Sequence, residues 1–458
     1  MQPWKVGFAP SCAFLAEGNA TASTGPTSRV VRYPSRVTIG FARLQAKQGG
    51  RFRRGRSSIA FTRANGHFGP RRRSRWRRLV LEPESQQRLK QEIGEVIHSD
   101  RHLLDELRSE ISPLRASTRR IQPRASTAIS LVATDGGNNQ IQFDPFLVQI
   151  VRVVDSSNNE YFLEAVTPST GTSELSVRQF ASDGHPCTPL GDMMRCLGVG
   201  DLSDLSPMIP KDGSRPRSPS WVQAYRELVE WAVLFSLLNK DFGTDTLIIF
   251  DGLLRSKVFF TGMFQRLKEE IASRIEVQYR RNRRRIYLTG IAKHSQILTR
   301  YRLAMALEHV LASPYPAYVA VPVEIEFRSY VRLGYGGKTN VEPEEPPSRN
   351  LVAGSHFLVK FGSGPRDPIW PVDVFSPQVG DAQTIMGLLL ADAINGFPVP
   401  LYPQCLQRAH ENAALVDFDF DILQDHIYDG VRTLLGDDSS TLDVFRLQDA
   451  DVAERRYQ

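Results

Sequence analysis

The sequence predicts an α/β fold in which one mixed sheet is flanked by helices. Three strand-like segments, "AISLVAT", "FLVQIVRVV" and "EYFLEAVT", follow one another across turn-rich loops, which is typical of antiparallel neighbours. Downstream, helical and strand-like segments alternate, beginning with "SWVQAYRELVEWAVLFSLLN" and "TLIIFDG". An antiparallel start followed by helix–strand alternation favours a single sheet covered by helices.

Charge is distributed unevenly along the 458 residues. The formal net charge is +7, yet residues 1–81 carry 17 Lys and Arg against one acidic residue, while the remainder carries 40 basic and 49 acidic side chains. The first segment has no apolar periodicity, so we expect a disordered basic head that could add affinity for phosphates. An organelle-type presequence or a start codon placed too far upstream are the alternatives.

Patterning divides the rest of the chain into three parts. Residues 82–125 contain apolar positions at helical spacing and predict an amphipathic helical extension. Residues 126–435 form the predicted main domain, and residues 436–458 a tail. Within the main domain, residues 169–218 are rich in Ser, Pro, Gly and Asp, and we expect a long insertion or lid there.

Composition excludes several classes of protein. Four scattered cysteines without C-x-x-C spacing do not form a disulfide framework, which fits a reducing cytoplasm. No apolar stretch reaches the roughly 18 residues of a membrane span. The G-x-x-x-x-G-K-[ST] motif is absent, so we do not expect the chain to power translocation itself.

Two aspartates stand at the expected ends of strands, each directly before a glycine. Asp135 lies in "LVATDGGNNQ" and Asp251 in "TLIIFDG". Each Asp-Gly could simply begin a turn. If the two strands are neighbours, however, the carboxylates would repel each other unless a cation separated them.

The helix between these strands offers a third carboxylate. Glu230 sits inside the apolar "LVEWAVLF", where an uncompensated carboxylate is costly, although Glu227 is only three residues away. Oxygen ligands of this kind suit Mg²⁺ or Mn²⁺, and two ions about 4 Å apart can clamp a phosphodiester. Acids on the first strand, first helix and fourth strand resemble the ribonuclease H-like fold.

Further motifs in the same order resemble the NurA nuclease family. They are the two Asp-Gly pairs, a strand ending in Gly-x-x-Lys at Lys293, and the closing helix "YPQCLQRAH" with Tyr402 and His410. The resemblance covers residues 126–420. It implies a DNA exonuclease or endonuclease that uses Mn²⁺, with two ions expected and Mg²⁺ as the alternative metal.

The resemblance also implies residue roles and partners. Asp135 and Asp251 would be metal ligands, Glu230 the helix carboxylate, and Tyr402 and His410 the closing pair beside the metals. The family works as a homodimer docked on the hexameric ATPase HerA, in DNA end processing or defence. A non-catalytic adaptor of a HerA-type ring and a phosphohydrolase acting on nucleotides are the rival functions.

Basic residues provide the expected contacts to DNA. Lys293 could hold a phosphate as a point charge, although a solvated lysine at a strand end is the simpler interpretation. The run "YRRNRRR" is the densest positive charge outside the head, and it could grip a strand or be only a solvated helix end. Its arginines are Arg280, Arg281, Arg283, Arg284 and Arg285. We interpret His356 as structural.

Overall fold

The computed structural model describes most of the chain after the basic head. The described residues are 83–124, 129–143, 146–211, 220–331, 351–415 and 417–436. The predicted head, the exposed loop expected at residues 333–350 and the tail beyond residue 436 lie outside them. The described helices and strands belong to one compact unit.

Nine strands in the described part form one mixed sheet with the order β1-β7-β8-β9-β6-β5-β2-β3-β4. The strands are β1 (Arg119–Arg120), β2 (Ile129–Phe143), β3 (Phe146–Asp155), β4 (Glu160–Val166), β5 (Asp245–Asp251), β6 (Ile286–Ile291), β7 (Ala317–Ala320), β8 (Gly354–Lys360) and β9 (Ile369–Phe375).

Helices cover both faces of this sheet. They are α1 (Pro83–Ser99), α2 (Arg101–Ile111), α3 (Thr172–Arg178), α4 (Pro189–Leu197), α5 (Trp221–Leu237), α6 (Thr261–Asn282), α7 (Gln296–Leu307), α8 (Val323–Val331), α9 (Ala382–Ala393), α10 (Gln404–Ala413) and α11 (Asp417–Leu435). Among the described residues, no helix combines the length and apolarity that crossing a membrane requires.

The centre of the sheet confirms the predicted fold class. Strands β2, β3 and β4 are antiparallel neighbours, whereas β5 runs parallel to β2 on its other edge and β6 runs parallel to β5. This is the ribonuclease H-like mixed sheet expected from the sequence, with three antiparallel strands first. The predicted N-terminal helical extension is also present, as α1 and α2.

Two clusters of buried apolar side chains pack on opposite faces of the central strands. Ile248 and Phe250 of β5 face a cluster that contains α5, with the fully buried Trp231 at its centre. Leu247 and Ile249, which alternate with them, face α9 and α10. Successive side chains of a strand point to opposite faces, so Asp251 belongs to the face covered by α10.

Local structure differs from the sequence prediction in three segments. The first strand does not end at Asp135: β2 continues to Phe143, because β3 pairs with it as far as Phe143↔Phe146. The segment "AYVAVPVEIEF", residues 317–327, predicts one strand, but the strand β7 ends at Ala320 and α8 begins at Val323, since acidic residues in a first turn favour a helix. The described part of residues 169–218 contains α3 and α4, whose Leu175 and Met193 are fully buried.

Candidate active site

Three of the predicted site residues meet where β5 ends. The Tyr402 hydroxyl donates to Asp251 Oδ1 over 3.4 Å, and Lys293 Nζ lies 4.0 Å from Asp251 Oδ2. The same Lys293 nitrogen lies 6.0 Å from the centre of the Tyr402 ring. Side-chain exposure is 15% for Asp251 and 42% for Lys293, so this group is open to a ligand from solvent.

Tyr402 is held from behind by packing. It is only 1% exposed and belongs to the apolar cluster that α9 and α10 share with the sheet. Its ring contacts Trp370 of β9, with ring centroids 4.8 Å apart. Burial fixes the ring and leaves the hydroxyl directed at Asp251, so the carboxylate orientation is set by a rigid neighbour.

Two glycines allow the close approach of the chain after Asp251. Gly252 adopts φ 139°, a backbone conformation that side chains rarely accept. A Cβ added at Gly290 of β6 would lie 2.4 Å from the Gly252 carbonyl oxygen and 3.0 Å from the Leu254 nitrogen. The glycine of the Gly-x-x-Lys motif therefore makes room for the turn that follows Asp251.

The backbone register brings the position of Asp135 beside Asp251. Parallel pairing of β2 with β5 runs from Ile129↔Asp245 to Thr134↔Phe250, so positions 135 and 251 follow next on adjacent strands. Neighbouring strands lie about 5 Å apart, and equivalent positions share a face of the sheet. The Asp135 side chain lies outside the described side chains, so its role as a ligand stays a prediction.

Helix α10 spans the region between these strands and β3. It begins directly after Tyr402 and Pro403 and packs across β2 and β3. Near its other end, Asn412 Nδ2 donates to the backbone oxygen of Asp155 over 3.1 Å. His410 is exposed and lies on this helix between the two anchoring points.

The two glutamates of α5 have different partners. Arg226 Nε lies 3.2 Å from Glu230 Oε1 on the same helix. Ser256, five residues after Asp251, donates its hydroxyl to Glu227. Burial raises the pKa of Glu227, and the Ser256 hydrogen bond opposes this only in part.

Helix α5 packs on the sheet face opposite the one that Tyr402 covers, and Glu230 is paired with Arg226 of the same helix. Glu227, in contrast, is tied to the loop that follows Asp251. Glu230 therefore stays the predicted helix ligand and Glu227 its alternative. The contact of Glu227 with Ser256 favours a structural role for Glu227.

The predicted DNA-binding arginines lie away from Asp251. Arg280 and Arg281 are in the last turn of α6, and Arg285 directly precedes β6. Asp251 is level with Ile291 at the other end of β6, a separation of roughly 17 Å for a strand of this length. All five arginines are exposed, so any DNA that they bind would extend well beyond Asp251.

A buried ionic network behind Asp251 was missed from the sequence. Arg255 Nη2 donates to both oxygens of Asp373 over 2.8 Å, and its Nη1 donates to Glu326 over 2.9 Å. His356 Nδ1 lies 2.6 Å from Asp373 Oδ1. Burial also raises the pKa of Tyr330, which stacks on the Arg255 guanidinium, to about 12.

Asp373 is fully buried yet remains ionised. Burial disfavours its charge, but Arg255 and His356 together outweigh that penalty and lower the pKa of Asp373. The signal was present in "WPVDVF", because a carboxylate inside an apolar strand must be paired. The same reasoning that singles out Glu230 in the sequence also singles out Asp373. His356 is buried against Asp373, which agrees with its interpretation as a structural residue.

The site is partly suited to a divalent cation. Asp251 provides a carboxylate whose side chain is 15% exposed, and the Asp135 position is adjacent. Among the side chains that the structure describes, no three acids, histidines or cysteines form a metal-binding group. A complete site would therefore need Asp135, whose side chain lies outside that set.

Comparisons with known proteins point to one family of structures. No family model matches the chain, and no curated protein matches it. Its fold is similar to the crystal structure of the NurA nuclease from Sulfolobus solfataricus, with 13% identity, a TM-score of 0.36, and coverage of 77% of this chain and 98% of that one.

Two further solved structures have similar values. A NurA structure matches with 11% identity and a TM-score of 0.38, covering 77% of this chain and 99% of that one. A structure of NurA bound to dAMP and manganese matches with 11% identity and a TM-score of 0.34, covering 71% and 94%.

Proposed function

We propose that this chain is a divalent-metal-dependent nuclease that hydrolyses phosphodiesters in DNA. The observation that carries the proposal is the meeting of Asp251, Lys293 and Tyr402 at one end of the sheet. These residues are far apart in sequence, and together they combine a cation ligand, a fixed positive charge and a rigid hydroxyl. Such a combination suits a phosphate ester better than an uncharged substrate.

The carboxylates would hold the metal. Asp251 and Asp135 would supply oxygen ligands, and Glu230 and His410 are proposed to complete the set. We propose two Mn²⁺ ions, with Mg²⁺ as the alternative, because hard oxygen donors suit both. When bound, such ions activate water and stabilise the leaving oxygen.

The remaining residues would orient the substrate. Lys293 can hold a non-bridging phosphate oxygen as a point charge, since its ammonium is exposed and only 4.0 Å from Asp251. The Tyr402 hydroxyl would keep the Asp251 carboxylate in position for the metal. The five arginines between 280 and 285 would contact phosphates of the same DNA farther from the cleaved bond.

We also propose partners for this nuclease. We infer a cytoplasmic homodimer that works with a HerA-type hexameric ATPase, as the resemblance to the NurA family implies. The ATPase would power translocation, for which this sequence has no G-x-x-x-x-G-K-[ST] motif. Processing of DNA ends and defence against foreign DNA are both compatible with this assembly.

The experiment compares the wild type with Asp251→Asn. The full chain is incubated with end-labelled single- and double-stranded DNA in Mn²⁺, Mg²⁺ or EDTA, and Mn²⁺ binding is measured by calorimetry. We expect metal-dependent cutting by the wild type, and at least 100-fold slower cutting with weaker Mn²⁺ binding by the variant, on the order expected for loss of a charge-stabilising group.

A matched control is available on the same strand. Asp245 lies at the opposite end of β5, where its carboxylate accepts from the Arg285 backbone nitrogen, and Asp245→Asn should cut at the wild-type rate. Undiminished cutting by Asp251→Asn would exclude this site. If the wild type fails to cut with and without a HerA-type ATPase, the non-catalytic adaptor is the better description.

A further inference from the structure

An exposed apolar loop lies between α9 and α10. The side chains of Ile394, Phe397 and Val399 are 60%, 76% and 41% exposed, and they lie within six residues of one another. We call residues 394–399 the apolar loop. Exposed apolar side chains grouped in this way mark a binding surface more often than scattered ones do.

Hydrogen bonds from α10 hold the apolar loop in place. The Phe397 backbone nitrogen donates to Gln404 Oε1, and the Val399 nitrogen donates to Gln407 Oε1, each over 2.8 Å. Gln407 Nε2 in turn donates to the backbone oxygens of Val399 and Tyr402, over 3.0 and 2.9 Å. The Phe397 ring is therefore presented to solvent on a fixed backbone.

The apolar loop is close to Asp251. A Cβ added at Gly396 would lie 2.3 Å from the Tyr402 backbone oxygen, so the two backbones are in contact. The Tyr402 side chain spans the remaining gap to Asp251. One residue step, the contact between the two backbones, the length of a tyrosine and its hydrogen bond put the Phe397 backbone within roughly 20 Å of the carboxylate, a distance that a few nucleotides can cover.

Two cationic side chains lie near the apolar loop and Asp251. Arg408 is exposed and one helical turn after Gln404, on the same face of α10 that holds the apolar loop. Lys293 lies beside Asp251. An exposed aromatic ring together with cationic side chains is the combination with which proteins bind unpaired nucleic-acid strands.

We propose that the apolar loop is a stacking subsite in which Phe397 packs against an unpaired base of the DNA strand that reaches Asp251. The inference rests on the proposed nuclease function and specifies which form of DNA the nuclease would bind. A base in a duplex has both faces covered by its neighbours, so the subsite selects single-stranded or frayed ends. Arg408 and Lys293 contact phosphates on either side of the stacked base.

Binding without catalysis tests the subsite. Wild type, Phe397→Ala, Phe397→Leu and Phe397→Trp are titrated in EDTA with a fluorescent single-stranded oligonucleotide and with the same oligonucleotide made abasic. We expect Phe397→Ala and Phe397→Leu to bind the base-bearing strand on the order of 10-fold more weakly, as loss of one stacked base predicts. Phe397→Trp should bind as the wild type does, and the abasic strand should not distinguish the proteins.

Controls separate stacking from other roles. Val177→Ala removes a side chain that is 71% exposed on α3 and should leave DNA binding unchanged. Equal binding by wild type and Phe397→Ala would overturn the proposal, as would full binding by Phe397→Leu. If Phe397→Ala keeps its DNA affinity but changes the sedimentation of the protein, the apolar loop is a protein interface instead.

The two proposals can fail separately. The oligonucleotide titrations contain no metal and need no cleavage, so they judge the subsite directly. Cutting assays with the wild type and Asp251→Asn judge the nuclease. If the protein binds single-stranded DNA through Phe397 but cuts no DNA, the stacking subsite is supported and the nuclease function is rejected.

Discussion

Replacing Asp373 tests whether the buried network behind Asp251 holds the strand ends together. Asp373→Asn keeps the shape of the side chain and one acceptor oxygen but removes the charge. Arg255 would then retain only Glu326, at 2.9 Å, as a charged partner. Because Arg255 lies four residues after Asp251, the substitution acts on the loop that follows the proposed metal ligand.

The expected loss is large for a single substitution. Asp373 is fully buried, and the Arg255 side chain is only 14% exposed. Removing one partner of a buried ion pair costs about 3–5 kcal/mol, because the remaining charge stays buried. The remaining Glu326 contact and the amide oxygen keep part of the pairing, so we expect about 3 kcal/mol, the lower end of that range.

Urea unfolding at neutral pH measures this loss, with Glu276→Gln as the control. Glu276 pairs with Arg280 on the surface, where both side chains are more than half exposed, so its replacement should not change the unfolding midpoint. Surface substitutions usually change the free energy of unfolding by no more than about 0.5 kcal/mol. If the free energy of unfolding of Asp373→Asn lies within about 0.5 kcal/mol of the wild-type value, the reasoning is refuted.

The pH dependence gives a second check on Asp373. Its folded pKa is lower than the value of about 3.9 for an unfolded aspartate, so the ionised network stabilises the protein fully above that pH. The contribution is lost as the pH falls below about 3.9 toward the folded pKa. The stability difference between wild type and Asp373→Asn should therefore shrink only in strong acid.

Two further predictions concern neighbours of the same loop. Gly290→Ala should lower both the rate of DNA cutting and the unfolding midpoint, because its Cβ would lie 2.4 Å from the Gly252 oxygen. Gly262→Ala on α6 is the control and should lower neither, because its Cβ would meet no atom within 4 Å. Equal effects of the two substitutions would contradict this account. Glu227 has a raised folded pKa, so its ionisation destabilises the protein as the pH rises through that value. In EDTA, Glu227→Gln should therefore gain stability relative to the wild type between pH 4 and pH 8, and a constant difference would argue against burial as the cause.

The central fold could be predicted because its signals are local. Alternating apolar residues identified β3 and β4, and the apolar run before Asp251 identified β5. The sequence leaves open whether β5 neighbours β2, and the structure shows that the two strands pair in parallel. Asp251, Lys293 and Tyr402 were also found from motifs, and the structure brings these three together.

Elements that depend on distant partners were harder to predict. The Gly136-Gly137 pair resembles a turn, but pairing with β3 along its whole length keeps β2 extended to Phe143. In α8, the alternation of Ile325 and Phe327 resembles a strand. Glu326 of this helix contacts Arg255, a residue 71 positions earlier, and no local pattern contains that contact.

The position of Asp251 illustrates how one strand end can be both stable and reactive. Its backbone continues into a loop that is held by two side-chain contacts. Arg255 of this loop donates to Asp373, and Ser256 of the loop donates to Glu227. The Asp251 side chain points to the other face, where Tyr402 is rigid and Lys293 is exposed. Because the buried charges satisfy one another on the opposite face, Asp251 and the exposed Lys293 can face a cation and a phosphate where β5 ends. Stability and chemistry therefore use separate charged groups on opposite faces of one sheet, and the substitutions at Asp373 and Asp251 should separate them experimentally.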